Sequence, residues 1–210
     1  MNILITGSNG FIGKNLKVRL EKIKKFNIID FNRENTEDDL FKAVLEAETI
    51  IHLAGENRPK SIEAFDEANH MLTKKLCKFC KEKDTKTHII FSSSTQVEQD
   101  NPYGKSKLAA EDELLELNKS PKNSVNIFRF PGVFGKWCRP NYNSVVATFC
   151  HNIANNLSIK INEKSNILNL IYIDDLIDQI IQVINFPKNE VFMNINSCLL
   201  YTSPSPRDTE

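Results

Sequence analysis

Tyr103 and Lys107 lie four positions apart and could carry out proton transfer in this 210-residue chain. They open a segment with a helical pattern, so the phenol and the ammonium should share one helix face. A nearby ammonium favours the phenolate, which predicts a lowered pKa for Tyr103 and a proton donor or acceptor usable near neutral pH. Ser94 ends a run of three serines after a predicted strand, where its hydroxyl could hold the oxygen that Tyr103 protonates. Taken alone, a Tyr-x-x-x-Lys pair is usually only a solvated helix face.

Three glycines near the N-terminus, Gly7, Gly10 and Gly13, separate a predicted strand from a predicted helix. In this context Gly7 would make the tight turn and Gly10 would let the backbone approach a pyrophosphate. Gly13 would let the helix pack closely on the strand. The helix N-terminus would add free N–H groups and the positive end of its dipole. The alternative is a turn without a ligand, which needs one or two glycines rather than three at this spacing.

Two charged residues near the end of the second predicted strand bear on the choice of cofactor. Asp30 could accept a hydrogen bond from a ribose 2′-hydroxyl, which favours NAD, whereas Arg33 could pair with a 2′-phosphate, which favours NADP. Either residue could instead be a solvated loop charge. We expect NADPH to bind more tightly than NADH through Arg33, with Asp30 reducing the margin and NAD remaining possible.

Strands and helices must alternate to position these residues, and the hydrophobic pattern predicts that they do. The order indicates βαβ units and an α/β fold, a Rossmann doubly wound parallel sheet with right-handed crossovers. Strands are predicted at residues 2–6, 26–30, 49–53, 87–91 and 124–130, with helices at 11–22, 40–47, 61–83 and 103–117.

The alternation weakens beyond residue 135, where we predict an incomplete C-terminal substrate-binding subdomain. The predictions there are a helix at 144–156, short strands near Ile159 and Leu168, a helix from Asp174 and a strand at 191–195. The apolar face from Ile177 to Ile184 is expected to be partly uncovered. Composition changes after residue 196, so residues 197–210 are predicted to be a non-native or disordered tail. The expected division is therefore 1–135 as NAD(P)-binding Rossmann domain, 136–196 as partial substrate-binding subdomain, and the tail.

Composition argues against several classes of protein. Lys and Arg total 27, as do Asp and Glu, which argues against a general nucleic-acid or anionic-membrane binder. No apolar run is long enough to span a bilayer and no signal peptide is evident, so a cytoplasmic protein is expected. The five cysteines, including the lone pair Cys77 and Cys80, suggest neither a disulfide framework nor a zinc site. No metal is expected, and His52 is interpreted as structural.

Several motifs in order resemble those of the extended short-chain dehydrogenases/reductases, the family of NAD-dependent epimerases and dehydratases that act on sugar nucleotides. The motifs are the TG-x-x-G-x-x-G opening, HLAG at 52–55, the serines at 92–94, Tyr103 with Lys107, R-x-P-G-V-F-G at 129–135 and YIDDL at 172–176. The resemblance runs from Met1 to about Asn196. It implies that the dinucleotide also contacts Phe11, Ile12, Leu53, Ala54 and Gly55, as well as Tyr103 and Lys107.

Longer segments are similar to one branch of this family, the reductase halves of bifunctional capsular-polysaccharide enzymes that make UDP-2-acetamido-2,6-dideoxy-L-talose. The segments are AGENRP, SSSTQVEQDNPYGKSK and FGKWCRPNYNSVVATFC. This likeness implies NADPH-dependent reduction of the 4-keto group of a UDP-linked 6-deoxy-N-acetylhexosamine, with Ser94, Tyr103 and Lys107 as the catalytic set. It also implies substrate contacts from Ser94, Asn141 and Asn143 and a homodimer. The two asparagines serve nearly as well as turn-forming residues.

Two other functions remain open from the sequence. A nucleotide-sugar epimerase or dehydratase would use NAD, but Thr95 and Gln96 stand where a dehydratase of the family usually carries an acidic pair. A non-catalytic regulatory module could use the dinucleotide site alone, but such modules tend to lose the Tyr/Lys pair that this chain keeps.

Overall fold

The computed structural model describes residues 1–161 and 167–201. Its strands fall into a large sheet and a small one. In chain order they are β1 (Asn2–Thr6), β2 (Asn27–Phe31), β3 (Thr49–His52), β4 (Thr87–Ser94), β5 (Asn123–Phe130), β6 (Gly132–Phe134), β7 (Ile167–Tyr172), β8 (Phe192–Met193) and β9 (Cys198–Tyr201).

Helices connect these strands. They are α1 (Phe11–Ile23), α2 (Glu37–Glu46), α3 (Glu63–Phe65), α4 (Leu72–Glu82), α5 (Pro102–Leu117), α6 (Val145–Ala154) and α7 (Ile173–Asn185). A π-helical turn, Asp66–Met71, joins α3 to α4, and a 3₁₀ turn, Thr95–Glu98, follows β4. The helix predicted at 61–83 is therefore present, with a widened turn inside it.

Side-chain caps define where two of the helices begin. Thr36 accepts from the backbone N–H of Asp39, whose carboxylate accepts from the N–H of Thr36, so α2 starts earlier than its apolar pattern suggests. Asn101 accepts from the N–H of Gly104 at 2.7 Å, and Pro102 follows it at the first helical position of α5. The second cap matters for function because α5 carries Tyr103 and Lys107.

The large sheet has the order β2-β1-β3-β4-β5-β8, with every neighbouring pair parallel. The chain leaves β1 to form β2 on one side and returns to form β3 on the other. This reversal creates a crevice at the carboxyl ends of β1 and β3, where doubly wound sheets bind their ligands. The predicted α/β fold with a doubly wound parallel sheet is confirmed.

Two hydrophobic layers cover the faces of this sheet. Alternate residues of β1 divide between them, with Leu4 on the face of α2, α4 and α5 and Ile3 and Ile5 on the face of α1 and α7. All three side chains are fully buried. Burial of both faces explains why the strands read as nearly continuous apolar runs.

The small sheet joins β6 to β7 in parallel and β7 to β9 in antiparallel orientation. Residues 198–201, which the sequence assigned to the tail, thus form a strand, whereas 202–210 lie outside the described residues. Residues 157–161 have no regular secondary structure, although a strand was expected near Ile159, and β8 is shorter than predicted. No helix in the described ranges is long and apolar enough to cross a membrane.

The expectation that the apolar face of α7 from Ile177 to Ile184 is partly uncovered is wrong. Ile177 and Ile180 are fully buried and Ile184 nearly so, because α7 packs on the sheet beside α1. The exposed apolar helix is instead α6, which has no buried residue and whose Ile153 is 63% exposed. Periodicity identified an apolar face on α7 but could not show what covers it.

Truncating α7 should therefore destabilise the protein far more than truncating α6. Ile180→Ala removes a fully buried side chain and is expected to lower the free energy of unfolding by about 2–5 kcal/mol. Ile153→Ala makes the same change at an exposed position and should cost less than about 0.5 kcal/mol. Urea unfolding measures both, and equal losses would contradict the assignment of α7 to the core.

Candidate active site

The glycine loop between β1 and α1 is shaped by two steric requirements. Gly7 has φ +71°, and a Cβ on it would lie 2.9 Å from the backbone of Ala54. A Cβ on Gly13 would lie 2.7 Å from Cα of Ser8, so α1 can approach the loop only without a side chain there. A Cβ on Gly10 would meet only Gly7 O within 4 Å among the described residues. These features fit a backbone cradle for a pyrophosphate, with Gly10 open to it.

Asn32 contacts the glycine loop at the end of β2, and sequence reasoning missed it. Its Oδ1 accepts from the N–H of Asn9 at 2.9 Å, and its Nδ2 donates to Ser8 Oγ at 2.8 Å. The predicted residue, Asp30, instead forms an ion pair of 2.5 Å with Lys17 on α1. The signal was available in the strand period, because Asn32 is two residues beyond Asp30 and follows directly on the end of β2.

Ser94, Tyr103 and Lys107 come together where β4 ends and α5 begins, as the sequence predicts. A side-chain hydrogen bond joins Tyr103 to Ser94, whose Oγ also accepts from the N–H of Gln96 at 3.2 Å. Lys107 is buried, and its Nζ donates to the backbone oxygen of Ser92 at 2.8 Å. A Cβ on Gly104 would lie 2.9 Å from Gln99 O, so this glycine allows the short connection between Ser94 and Tyr103.

The expected lowering of the pKa of Tyr103 is wrong in direction. Burial raises the pKa of this phenol, and the hydrogen bond with Ser94 offsets only part of that effect. Lys107 is not among the groups that shift the pKa of Tyr103, and its ammonium donates to Ser92 O. Burial in turn lowers the pKa of Lys107 from 10.5 to about 8, against the opposing effect of Glu111. Tyr103 is therefore a neutral proton donor, next to a lysine whose charge titrates near physiological pH.

The three successive serines at the end of β4 have three different partners. Ser92 Oγ donates to the backbone oxygen of His52 at 3.0 Å, and Ser93 Oγ donates to Glu111 at 2.5 Å. Glu111 is buried and also accepts from Arg129, at 2.7 Å to Nη2 and 3.0 Å to Nε. The buried carboxylate of Glu111, with its half-buried partner Arg129, ties α5 to β4 and β5 and so fixes the helix that presents Tyr103.

His52 lies at the centre of a chain of directional hydrogen bonds. Thr73 Oγ1 donates its proton to Asn69 O at 2.5 Å, so at 3.0 Å it accepts from His52 Nε2. His52 Nδ1 then accepts from Thr6 Oγ1 at 2.6 Å, and Thr6 Oγ1 accepts from the N–H of Ala54 at 3.1 Å. This pattern requires a neutral imidazole, and burial, followed by repulsion from Lys107, lowers the pKa of His52 to about 3. The structural role expected for His52 fits this arrangement.

Asn69 extends this chain to the segment after β3. Its Oδ1 accepts from the N–H of Glu56 at 3.0 Å, and its Nδ2 donates to Glu56 O at 2.9 Å and to Ser106 Oγ at 3.0 Å. A Cβ on Gly55 would lie 3.2 Å from Lys107 Nζ. The segment from Leu53 to Gly55, predicted to bind the cofactor, thus lies between the glycine loop and Lys107.

Asn141 and Asn143 lie on an exposed loop. Asn141 has φ +55°, and its N–H donates to Thr148 Oγ1 at 2.9 Å, as befits a turn-forming residue. The loop instead contacts the cofactor side through Tyr142, whose hydroxyl donates to Asn57 Oδ1 at 2.9 Å. The substrate contact expected from the two asparagines stays a prediction.

Comparison with known proteins places these features in a family. The model of the NAD dependent epimerase/dehydratase family matches residues 3–196. A UDP-2-acetamido-2,6-beta-L-arabino-hexul-4-ose reductase of Pseudomonas aeruginosa is 43% identical over 185 residues, which are 88% of this chain and 50% of that protein. The chain therefore spans about half the length of this relative.

Solved structures share the fold. The capsular polysaccharide assembling protein CapF of Staphylococcus aureus superposes with a TM-score of 0.79 at 38% identity, over 95% of this chain and 54% of CapF. A UDP-glucuronic acid 4-epimerase of Bacillus cereus in complex with UDP-glucuronic acid and NAD superposes with a TM-score of 0.82 at 21% identity, over 93% of this chain and 77% of that one.

The buried ammonium of Lys107 should make stability depend on pH in a defined direction. Its pKa is about 8 in the folded protein and higher in the unfolded chain, so the unfolded chain binds more protons between about pH 8 and 10.5. The free energy of unfolding of the wild type should therefore rise across this window relative to that of Lys107→Met. The cost of burying the charge is fully present below the window. Urea unfolding of both proteins measures the difference, and a constant difference at all pH values would refute the assignment.

Proposed function

The chain belongs to the NAD dependent epimerase/dehydratase family, and on that premise we propose that it reduces the 4-keto group of a UDP-linked 6-deoxy-N-acetylhexosamine with NADPH. The observation that carries the proposal is the pairing of Ser94 with a neutral Tyr103 at the carboxyl end of β4, which β3 separates from β1 and its glycine loop. The 43% identity to a UDP-sugar 4-keto reductase supports the substrate class.

The residues of this site fit a nicotinamide dinucleotide and a ketone. Gly7, Gly10 and Gly13 would hold the pyrophosphate at the N-terminus of α1, and the bound cofactor would supply a hydride to C4 of the sugar. Tyr103 would donate its proton to the ketone oxygen, so that the carbonyl becomes an alcohol and the phenol becomes a phenolate. Ser94 would orient that oxygen, and Lys107, through its bond to Ser92 O, would hold the end of β4 in place.

The electrostatics support reduction with NADPH over the NAD-dependent alternatives. A raised pKa keeps Tyr103 protonated at neutral pH, as a group that must give a proton to a ketone requires. Asp30, which was expected to oppose NADPH, is paired with Lys17, and this pairing reduces its repulsion of a 2′-phosphate. Thr95 and Gln96 do not supply the acidic pair of a dehydratase.

Tyr103→Phe tests the proposed proton donor. The variant loses one hydroxyl, so fold and cofactor affinity should be kept while turnover falls by about 10²–10⁴. The assay follows NADPH absorbance with a UDP-4-keto-6-deoxy-N-acetylhexosamine. Tyr172→Phe removes the same hydroxyl on β7 and should retain activity. Turnover close to wild type in Tyr103→Phe would eliminate Tyr103 as the donor.

Arg33→Ala tests the proposed cofactor preference. A 2′-phosphate can pair with the guanidinium, which is 82% exposed, so the affinity for NADPH should fall about five- to tenfold and that for NADH should stay unchanged. Fluorescence titration with each cofactor measures both. Arg19→Ala removes a like charge from α1, where Arg19 pairs with Asp178, and serves as the control. Equal preference in wild type and Arg33→Ala would show that Arg33 is only a solvated charge.

A further inference from the structure

An ion pair crosses the crevice in which the dinucleotide is proposed to bind. Arg33 follows β2 and Glu56 follows β3, and the two strands flank β1 in the sheet. Arg33 Nη2 lies 2.5 Å from Glu56 Oε2. The pair therefore passes across the carboxyl end of β1, directly where the glycine loop begins. The sequence analysis considered Arg33 and the AGENRP segment separately and did not pair Arg33 with Glu56.

The two partners differ in how firmly they are held. Glu56 is largely buried, and its Oε1 accepts from the N–H groups of Asn57 and Arg58, each at 3.2 Å. Its own backbone is held on both sides by Asn69. Arg33 is 82% exposed and has no side-chain partner other than Glu56 among the described residues. Glu56 is thus the fixed member of the pair and Arg33 the movable one.

We propose that Glu56 is a specificity-determining residue that holds Arg33 in the cofactor-free protein and gives it up to the 2′-phosphate of NADPH. The inference rests on the proposed use of NADPH. In the exchange Arg33 replaces a carboxylate partner by a phosphate, while Glu56 keeps its bonds to Asn57 and Arg58. Glu56 therefore competes with the phosphate for one guanidinium, and it lowers the selectivity that Arg33 would otherwise provide.

The surroundings of Glu56 keep it charged during this exchange. Burial acts to raise its pKa, but the hydrogen bonds from Arg58 and Arg33 outweigh this and hold the pKa below its usual value. The positive side chain that acts on it is that of Arg33, Arg58 and Asn57 contribute through their backbone N–H groups, and the hydroxyl of Tyr142 approaches Oε1 at 3.5 Å. A carboxylate with these partners still repels a nearby phosphate after Arg33 has left.

Glu56→Gln tests the competition because it keeps the shape and removes the charge. Titration of the purified chain with NADPH and with NADH, followed by cofactor fluorescence, should show NADPH binding tightened by about fivefold and NADH unchanged. The gain should shrink as salt is added, because the pair is exposed on the side of Arg33. In an Arg33→Ala background Glu56→Gln should have a smaller effect, since the competed group is absent.

Control variants separate competition from other effects. Glu34→Gln removes a carboxylate next to Arg33 that forms no ion pair among the described residues, and it should leave both affinities unchanged. If Glu56→Gln does not fold, Glu56→Asp, which lengthens the ion pair, should shift the NADPH to NADH ratio in the same direction.

Three outcomes overturn the inference. Unchanged NADPH affinity in Glu56→Gln would show that Glu56 does not compete, and weaker NADPH binding would show that it positions Arg33 for the phosphate. Equal changes for both cofactors would indicate a merely structural role. If one of these results is found and the wild type still prefers NADPH, only the inference about Glu56 fails and the proposed function stands. If the wild type binds neither NADPH nor NADH, both the inference and the proposed function fail.

Discussion

The neutral imidazole of His52 is the constraint on which the site depends. A polar chain runs from the N–H of Ala54 through Thr6, His52 and Thr73 to the backbone oxygen of Asn69. Each hydroxyl in it donates one hydrogen bond and accepts one, so all the bonds run in one direction. His52 Nδ1 must accept from Thr6 Oγ1 and therefore cannot carry a proton. Because these groups are buried, loss of one partner would leave another unsatisfied. These hydrogen bonds link β1, which precedes the glycine loop, to the π-helical turn Asp66–Met71. Asn69, which lies in that turn, holds the segment after β3.

Local patterns predicted the parts of the site that depend on short-range geometry. Three glycines after a strand, and Tyr103 four residues before Lys107 on a helix, are set by the periods of helix and strand. The structure brings Ser94, Tyr103 and Lys107 together as expected. Three of the missed residues, Glu56, Asn69 and Glu111, act through partners 13 or more positions away in the chain. Sequence spacing carries no record of such pairings.

The predicted direction of the pKa shift of Tyr103 was wrong because burial outweighed the effect expected from the neighbouring ammonium. The spacing placed an ammonium next to the phenol of Tyr103, but it could not show that Lys107 is buried and Tyr103 half-buried, or that the ammonium donates to Ser92 O. Burial opposes charge on either group, so it raises the pKa of the tyrosine and lowers that of the lysine. Asp30 was likewise interpreted as an acceptor for a ribose hydroxyl or as a solvated charge, whereas it pairs with Lys17 on the adjacent helix. Charge identity is readable from a sequence, whereas the dielectric around a charge is a property of the fold.

The widened turn at Asp66–Met71 has a consequence for comparing sequences. The N–H of Leu72 bonds to the oxygen of Glu67, five residues back, so this helix holds one residue more than an α-helix of the same path would need. Asn69 is within that turn, and deleting a single residue there would rotate it by about 100° about the helix axis. A relative with an uninterrupted α-helix would therefore be one residue shorter between the equivalents of β3 and α4. An alignment without a gap would then pair Asn69 with a residue that faces elsewhere.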